Sequence, residues 1–123
     1  VPVIRDVNEK GLWQIASEIS DLAKRAQARK IKPEEMGGAS MTITNLGGIG
    51  GTAFTPIVNP PEVAILGLTR TEMTPVWNGE VFAPVPMVPL DLSYDHRVIN
   101  GAEAARFVAH LAGLIADPRE LLV

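Results

Sequence analysis

Cysteine is absent from this sequence of 123 residues, and histidine occurs only as His96 and His110. The chain can therefore form neither a disulfide nor a thiolate metal site, and two histidines are too few for the usual ligands of zinc. Basic residues are not in excess, since the formal net charge is −3 and the pI is near 5.3. Nucleic-acid-binding domains normally carry a basic patch and a high pI, so nucleic acid is not an expected partner. A reducing compartment such as the cytosol fits the lack of cysteine best.

Long apolar runs are also missing. The longest, around residues 63–66, is far shorter than the roughly 20 residues that a membrane-spanning helix needs, so no membrane is expected. The chain starts without a methionine and without a signal-peptide pattern, and residues 1–6 are predicted to form a strand. We therefore expect the chain to begin inside a longer polypeptide.

An amphipathic helix is predicted to start at Asn8 or Lys10. From Leu12 to Ala26 apolar residues recur at steps of three and four, which is the spacing of one helix face. Four cations between residues 24 and 30 end this helix. Their position suits the negative end of the helix dipole and favours a solvated basic end over a nucleotide-phosphate contact.

A series of strands follows, with a long loop between the first two, and a second helix begins near Gly101. In the strand at residues 40–46, Thr42 and Thr44 share one face. An Asn-Gly pair at residues 78–79 accepts positive φ at both positions of a turn, which predicts a hairpin. The remaining predicted elements are strands at 63–69 and 87–94, the hairpin at 74–85, and an apolar helix face at positions 104, 105, 108, 111, 112 and 115.

The glycine-rich segment at residues 48–53 matches the loose pattern G-x-G-x-x-A directly after a predicted strand. This pattern alone would suggest a pyrophosphate site of a dinucleotide. Such a site must open a helix, however, and here prolines follow at positions 56, 60 and 61. The glycines are therefore assigned to sharp turning and close backbone approach.

His96 stands between a mostly apolar strand and the start of a helix, flanked by Asp95 and Arg97. A lone histidine in such a turn is usually a surface residue. An Asn-Gly pair three residues after Arg97 is expected to cap the next helix and to fix the turn. A titratable side chain in a fixed position is a candidate general base.

The segment at residues 95–101, DHRVING, resembles the pattern Asp-His-Arg-x-x-Asp-Gly of the acyltransferases of 2-oxo acid dehydrogenase complexes. Chloramphenicol acetyltransferase shares a related His-x-x-x-Asp-Gly signature. The resemblance continues at residues 1–6, 42–47, 60–67 and 118, so it spans nearly the whole chain. It implies an α/β fold, namely a chloramphenicol acetyltransferase-like sandwich with a mixed sheet flanked by helices. It also implies that residues 1–123 are the C-terminal half of one acyltransferase catalytic domain.

The activity that the resemblance implies is the transfer of an acyl group between dihydrolipoamide and coenzyme A. Coenzyme A attacks as its thiolate, so a general base is needed, and His96 matches the family's histidine. Thr44 stands where the family commonly has a serine that donates to the oxyanion. Asn100 stands where aspartate is commonest, and we expect it to hold the turn, and with it Arg97, by hydrogen bonding.

The resemblance also implies substrates and partners. Thr69 and Arg70 match positions near coenzyme A. Lipoate would be carried on a separate lipoyl domain, and no metal or tightly held cofactor is required. Family members form trimers with active sites between subunits, assemble into cubic or dodecahedral cores, and work with 2-oxo acid dehydrogenase and dihydrolipoamide dehydrogenase components. The expected location is the bacterial cytoplasm or the mitochondrial matrix.

Two alternatives stay open at this point. The chain could be a non-catalytic core fragment that keeps only assembly contacts, or an acetyltransferase that acts on a small hydroxyl acceptor. The acyl group is not fixed by the sequence, although the apolar glycine-rich segment favours the pyruvate-type members and hence acetyl.

Overall fold

The computed structural model describes residues 1–122, and Val123, the last residue of the predicted domain, lies outside the described residues. Two compact units are present, one made of Val1–Ser40 with the residues from His110 onward, the other of Met41–Ala109. In chain order the elements are α1 (Leu12–Gln27), β1 (Thr42–Asn45), β2 (Ala64–Leu68), β3 (Glu72–Trp77), β4 (Phe82–Met87), β5 (Leu90–Tyr94) and α2 (Gly101–Ala116). Short 3-10 helices cover Val7–Glu9, Pro33–Glu35 and Pro118–Leu122.

A three-stranded sheet in the order β1-β2-β5 forms the centre of the second unit. β1 runs parallel to β2, and β5 runs antiparallel to it. The predicted mixed sheet and the α/β class are therefore confirmed. Thr44 pairs with Gly67 and Gly67 pairs with Asp91, so these three residues form one row across the sheet.

The core of this unit lies around β2, where Ile65 and Leu66 are buried, as the predicted buried strand requires. On β1 the predicted faces are confirmed, because Thr42 and Thr44 are half-buried, whereas Ile43 and Asn45 on the other face are exposed. The apolar face of β1 is the outer one, and Ile43 is 64% exposed. The half-buried face of β1 is thus the one with hydroxyl groups.

β3 and β4 form the predicted hairpin, in which Trp77 pairs with Phe82 and their rings meet edge to face at 5.2 Å. The expected turn geometry is wrong in one respect. Only Gly79, at φ 102°, has a positive φ in this turn. The connection has four residues rather than two, and the side chain of Asn78 accepts hydrogen bonds from the N–H groups of Glu80 and Val81, so Asn78 does not need the left-handed region.

The strand predicted at residues 87–94 begins later than expected. β4 ends at Met87, and β5 begins at Leu90. The two strands belong to different sheets, since β4 pairs with β3 and β5 pairs with β2. Pro89 has no N–H donor and stands in the break between them.

The prediction of a strand at residues 1–6 is wrong. Only a single bridge joins Pro2 to Met36, and the N–H of Val3 donates to the carbonyl of Glu35 at 2.8 Å. Pro2 cannot donate to a ladder, and Asp6 adopts a left-handed φ of 53° that turns the chain.

α1 also begins later than predicted, at Leu12 with Gly11 as its N-cap. Asn8 lies in a 3-10 turn, and Lys10 is extended at φ −115° and ψ 140°, so neither residue starts the helix. The apolar stripe is only partly buried. Leu22 is buried, whereas Ile19 is 54% exposed.

Arg25 ties the end of α1 to the connector that follows. Its guanidinium donates to Asp21 at 2.7 Å and binds both carboxylate oxygens of Glu35, each at 2.7 Å. Hydrogen bonds from the Arg25 side chain and from the N–H of Lys32 lower the pKa of Glu35 to about 2. Part of the basic helix end is therefore neutralised by carboxylates.

α2 begins at Gly101 as predicted. Ala104 is buried and Val108 is half-buried. Farther along, Leu111 and Leu114 are half-buried. Ala105, Ala112 and Ile115 are exposed, so the predicted face is wrong at these three positions. Neither α1 nor α2, each of 16 residues, has the length and apolar character that crossing a membrane would need.

Candidate active site

His96 lies on the exposed turn between β5 and α2. The backbone of Asp95 fixes this turn in two directions. The N–H of Asp95 donates to the carbonyl of Val63 at 2.8 Å, and its carbonyl accepts from Val98 and Ile99, each at 3.0 Å. The histidine is therefore carried on a short segment that main-chain hydrogen bonds hold at the end of the sheet.

The residues on either side of His96 form an ion pair with each other. The guanidinium of Arg97 donates to the carboxylate of Asp95 at 2.9 Å through Nε and at 2.7 Å through a terminal nitrogen, and the N–H of Arg97 adds a bond of 3.0 Å. These bonds from Arg97 lower the pKa of Asp95 to about 2, and the carboxylate in turn raises the pKa of Arg97. Asp95 is therefore ionised at neutral pH, but with so low a pKa, and with both of its oxygens bound by Arg97, it is too weak a base to match a thiol.

Asn100 caps α2. Its Oδ1 accepts from the N–H of Glu103 at 2.9 Å, and the carboxylate of Glu103 accepts from the N–H of Asn100 at 3.2 Å. This reciprocal pair is a capping box, which the sequence signals as Asn-x-x-Glu. The expected scaffold role in the turn agrees with this geometry. The expected bond to Arg97 is not formed, because the Arg97 guanidinium is already occupied by Asp95.

Thr44 lies on β1, and hydrogen bonds of the residues that follow it fix the chain after the strand. The N–H of Leu46 donates to the carbonyl of Leu68, and the carbonyl of Leu46 accepts from Ile49 and Gly50 at 2.9 and 3.2 Å. The glycine-rich segment thus forms a tight turn directly after β1. No helix follows this turn before β2, which agrees with the argument against a dinucleotide site.

Thr69 and Arg70 follow β2 at this same end of the sheet. Thr69 is only 3% exposed, and its hydroxyl donates to the carbonyl of Thr52 at 3.2 Å, so it holds the long loop in place. Arg70 is well exposed and pairs with Glu72.

The register places Thr44 and His96 at opposite ends of the sheet. Thr44 is in the row of Gly67 and Asp91, whereas His96 comes after Asp95, which bonds to Val63 before β2 begins. Asp95 is four positions after Asp91, a rise of about 13 Å along a strand, and β1 lies two strands away from β5. Within one chain, Thr44 is therefore grouped with Thr69 and Arg70, and His96 is grouped with Asn100.

Comparison with known proteins gives the family. The model of the 2-oxoacid dehydrogenases acyltransferase (catalytic domain) family matches residues 1–123. This chain belongs to that family, and the fold and the segment around His96 agree with it.

Individual relatives point the same way. The dihydrolipoyllysine-residue acetyltransferase component of the pyruvate dehydrogenase complex of Pseudomonas aeruginosa is 59% identical over 123 residues, which is 100% of this chain and 22% of that protein. A solved structure of dihydrolipoamide acetyltransferase from Azotobacter vinelandii matches with a TM-score of 0.95 and 57% identity, covering 100% of this chain and 51% of that one. The cubic core of a pyruvate dehydrogenase multienzyme complex matches with a TM-score of 0.95 and 58% identity, with the same coverage of 100% and 51%. The chain therefore spans about a fifth of the Pseudomonas relative and about half of the solved chains.

The work on the Azotobacter structure concerns the roles of a serine, a histidine and an asparagine in the catalytic mechanism of that protein. The histidine follows the serine by 52 positions, and the asparagine follows the histidine by four. Thr44, His96 and Asn100 have the same two spacings.

Proposed function

We propose that the polypeptide carrying this chain transfers an acetyl group between dihydrolipoamide and coenzyme A within a 2-oxo acid dehydrogenase complex, with His96 as the general base. The observation that carries this proposal is the agreement of Thr44, His96 and Asn100 with the spacing of the serine, histidine and asparagine of the Azotobacter acetyltransferase, on a fold that matches with a TM-score of 0.95. The names of the curated relatives support acetyl as the acyl group.

The chemistry requires one base and one oxyanion donor. His96 takes the proton from the thiol of coenzyme A, and the thiolate attacks the thioester carbonyl of acetyl-dihydrolipoamide. The tetrahedral oxyanion then collapses, the bond from carbon to the dihydrolipoamide sulfur breaks, and the leaving sulfur regains the proton from the imidazolium. Free thiols are largely protonated at neutral pH, which is why the base matters.

Thr44 supplies the oxyanion donor in this proposal. Threonine keeps the hydroxyl of the serine in the Azotobacter protein, and a preorganised donor of this kind contributes about 3–4 kcal/mol to the stabilisation of a transition state. The hydroxyl is on the half-buried face of β1, and the tight glycine turn after Leu46 brings backbone close to that end of the sheet.

The active site is composite in this proposal. Since Thr44 and His96 stand at opposite ends of one sheet, a single chain does not bring them to one thioester. We assign Thr44 to one subunit and His96 to its neighbour in a trimer. This arrangement is compatible with assembly into a larger core such as the cubic core of the matching structure.

Asn100, Arg70 and Thr69 have separate roles in this proposal. Asn100 keeps the start of α2, and with it the turn of His96, in place through the capping box. Arg70 is an exposed cation at the Thr44 end, suited to a phosphate of coenzyme A. Thr69 has its hydroxyl bound to the loop, so we assign it a positioning part rather than a direct contact with coenzyme A.

The remaining assignments concern the whole polypeptide. The coverage of about half of each solved chain supports the proposal that residues 1–123 are the C-terminal half of a catalytic domain. Lipoate would then reach the site on a separate lipoyl domain, and the 2-oxo acid dehydrogenase and dihydrolipoamide dehydrogenase components would be partners. The bacterial relatives favour the cytoplasm over the mitochondrial matrix.

A substitution of the base tests the proposal. In the full-length polypeptide, His96→Ala should lower the kcat for acetyl transfer from acetyl-dihydrolipoamide to coenzyme A by about 10²–10⁴-fold. His110→Ala is the matched control, because His110 is the second histidine and is exposed on α2. Circular dichroism and light scattering should show both variants folded and assembled. If His96→Ala keeps activity within tenfold of the wild type, the assignment of the base is wrong.

A further inference from the structure

Tyr94 is the last residue of β5, and its side chain is half-buried. In the sheet it pairs with Ala64, so its backbone belongs to the rigid part of the second unit. Only Asp95 separates it from His96. Its ring is therefore carried by the sheet itself and not by the turn.

The ring of Tyr94 lies next to the imidazole of His96. The two ring centroids are 5.5 Å apart, and the ring planes make an angle of 44°. At its other end, the hydroxyl of Tyr94 lies 3.5 Å from the place where a Cβ would stand on Gly101, the first residue of α2. The tyrosine thus lies next to the histidine, and its hydroxyl lies near the helix start that follows the turn.

Within this chain the imidazole is exposed, and among the hydrogen bonds of residues 1–122 none involves a nitrogen of the His96 ring. An exposed side chain without a hydrogen bond samples several rotamers. A general base must stay within hydrogen-bond reach of the proton that it removes, and a misplacement of about 1 Å can cost about 10²-fold in rate.

We propose that Tyr94 is a positioning residue that holds the imidazole of His96 in its catalytic orientation by contact between the two rings. This inference rests on the proposed function, because it requires His96 to be the base. The planar ring of Tyr94 orients the imidazole through an offset aromatic contact, and the hydroxyl, which lies near the start of α2, has no part in this. Loss of the ring therefore affects the rate of the reacting complex more than the binding of either substrate.

The test compares Tyr94→Phe, Tyr94→Leu and Tyr94→Met in the full-length enzyme, with His96→Ala measured beside them. Tyr94→Phe keeps the ring and should stay within about twofold of the wild type. Tyr94→Leu and Tyr94→Met replace the ring by apolar side chains and should lower kcat by about tenfold or more, with the KM values for coenzyme A and dihydrolipoamide unchanged. Thermal unfolding and light scattering show whether each variant is folded, and the methionine variant provides the result if the leucine variant fails to fold.

Three outcomes would overturn the inference. Unchanged kcat in the leucine and methionine variants would show that the ring does not position the base. An increase of KM without a change of kcat would assign Tyr94 to substrate binding. A phenylalanine variant as impaired as the leucine variant would show that the hydroxyl, and not the ring, is needed for the rate. If His96→Ala is inactive while the Tyr94 variants are fully active, only this inference fails. If His96→Ala itself is active, the proposed function fails, and the inference fails with it.

Discussion

Asn100 stands where aspartate is the commonest residue of the family pattern, and the structure gives a reason why either side chain can serve. The group that acts is Oδ1, which accepts the hydrogen bond from the N–H of Glu103. An aspartate offers the same acceptor atom, and a negative charge at the N-terminus of α2 is compatible with the helix dipole. The ionisation of residue 100 is not needed for this function.

For position 100 we expect Asn100→Asp in the full-length enzyme to stay within a few-fold of wild-type kcat. Asn100→Leu removes the cap, so it should cost about 1 kcal/mol of stability and lower kcat by about tenfold through displacement of the His96 turn. Steady-state kinetics and thermal unfolding provide the two measurements. Equal activity of all three proteins would mean that the cap has no influence on catalysis.

The ion pair between Asp95 and Arg97 predicts a pH effect. The pKa of Asp95 is lowered from 3.8 to about 2 by Arg97, so this carboxylate contributes stability that is present above its unfolded pKa and is lost as the pH falls through about 2. In Arg97→Gln the pKa of Asp95 should rise towards 3.8. It should not reach that value, because the N–H of residue 97 still donates to Oδ1.

Carbon-detected NMR titration of the Asp95 carboxyl checks this expectation. Arg119→Gln is a suitable control, because it removes a similar pair between an arginine and the aspartate two positions before it, Asp117, in the other unit. A pKa of Asp95 that is unchanged in Arg97→Gln would show that the backbone bonds alone lower it.

Among the elements, β2 packs closely against the loop before it at Gly67. An added Cβ at Gly67 would lie 2.6 Å from Cζ of Phe54 and 3.3 Å from Cγ of Pro56. Glycine at this position therefore lets the long loop between β1 and β2 lie directly on the sheet beside the Thr44 row.

From this contact we predict that Gly67→Ala destabilises the protein by about 1–3 kcal/mol through overpacking. In a Phe54→Leu background the same substitution should cost clearly less, because the ring that causes the clash is gone. Urea unfolding of the four proteins in a double-mutant cycle measures the coupling. Additive effects would exclude the contact with Phe54 as the cause.

The elements that periodicity alone defines could be predicted from the sequence. The central part of α1, the buried strand β2 and the start of α2 fall where the apolar pattern puts them. Segment 1–6 could not be predicted, because its β-branched residues suit a strand while Pro2 prevents a ladder from forming. Local propensity also gave no sign that Met87 and Leu90 would belong to different sheets.

The residues of the proposed site were named from the sequence, but their arrangement was not. His96 follows from a strand-to-helix turn, and the Asn100 cap follows from a local pattern of four residues. The separation of Thr44 from His96 depends on which strands pair and in which register, and no local signal contains that information. The contact of Tyr94 with His96 could not be predicted from the sequence either. The strand pattern places Tyr94 in the sheet, but it does not say where the ring of Tyr94 lies.

At the scale of the whole molecule, the composite site is the consequence that the sheet register makes testable. If Thr44 and His96 act on one thioester from two subunits, two inactive full-length variants should restore each other when they assemble together. Thr44→Val keeps the histidine and removes the hydroxyl, which should cost about 10²–10³-fold in kcat. His96→Ala keeps the hydroxyl and removes the base.

When equal amounts of these two variants are co-expressed with different affinity tags and isolated as mixed trimers, some sites contain the intact Thr44 of one subunit beside the intact His96 of its neighbour. A trimer that holds both variants has such a pairing at one of its three sites, so the isolated mixed trimers should recover about a third of wild-type activity. Each variant expressed alone, and the two variants mixed after separate assembly, should stay inactive because their subunits do not exchange. Co-assembled trimers that remain as inactive as the single variants would place Thr44 and His96 in the same subunit's site, or would exclude Thr44 from catalysis. The activity of Thr44→Val alone separates these two cases, since a threonine without a catalytic part can be replaced by valine with little loss.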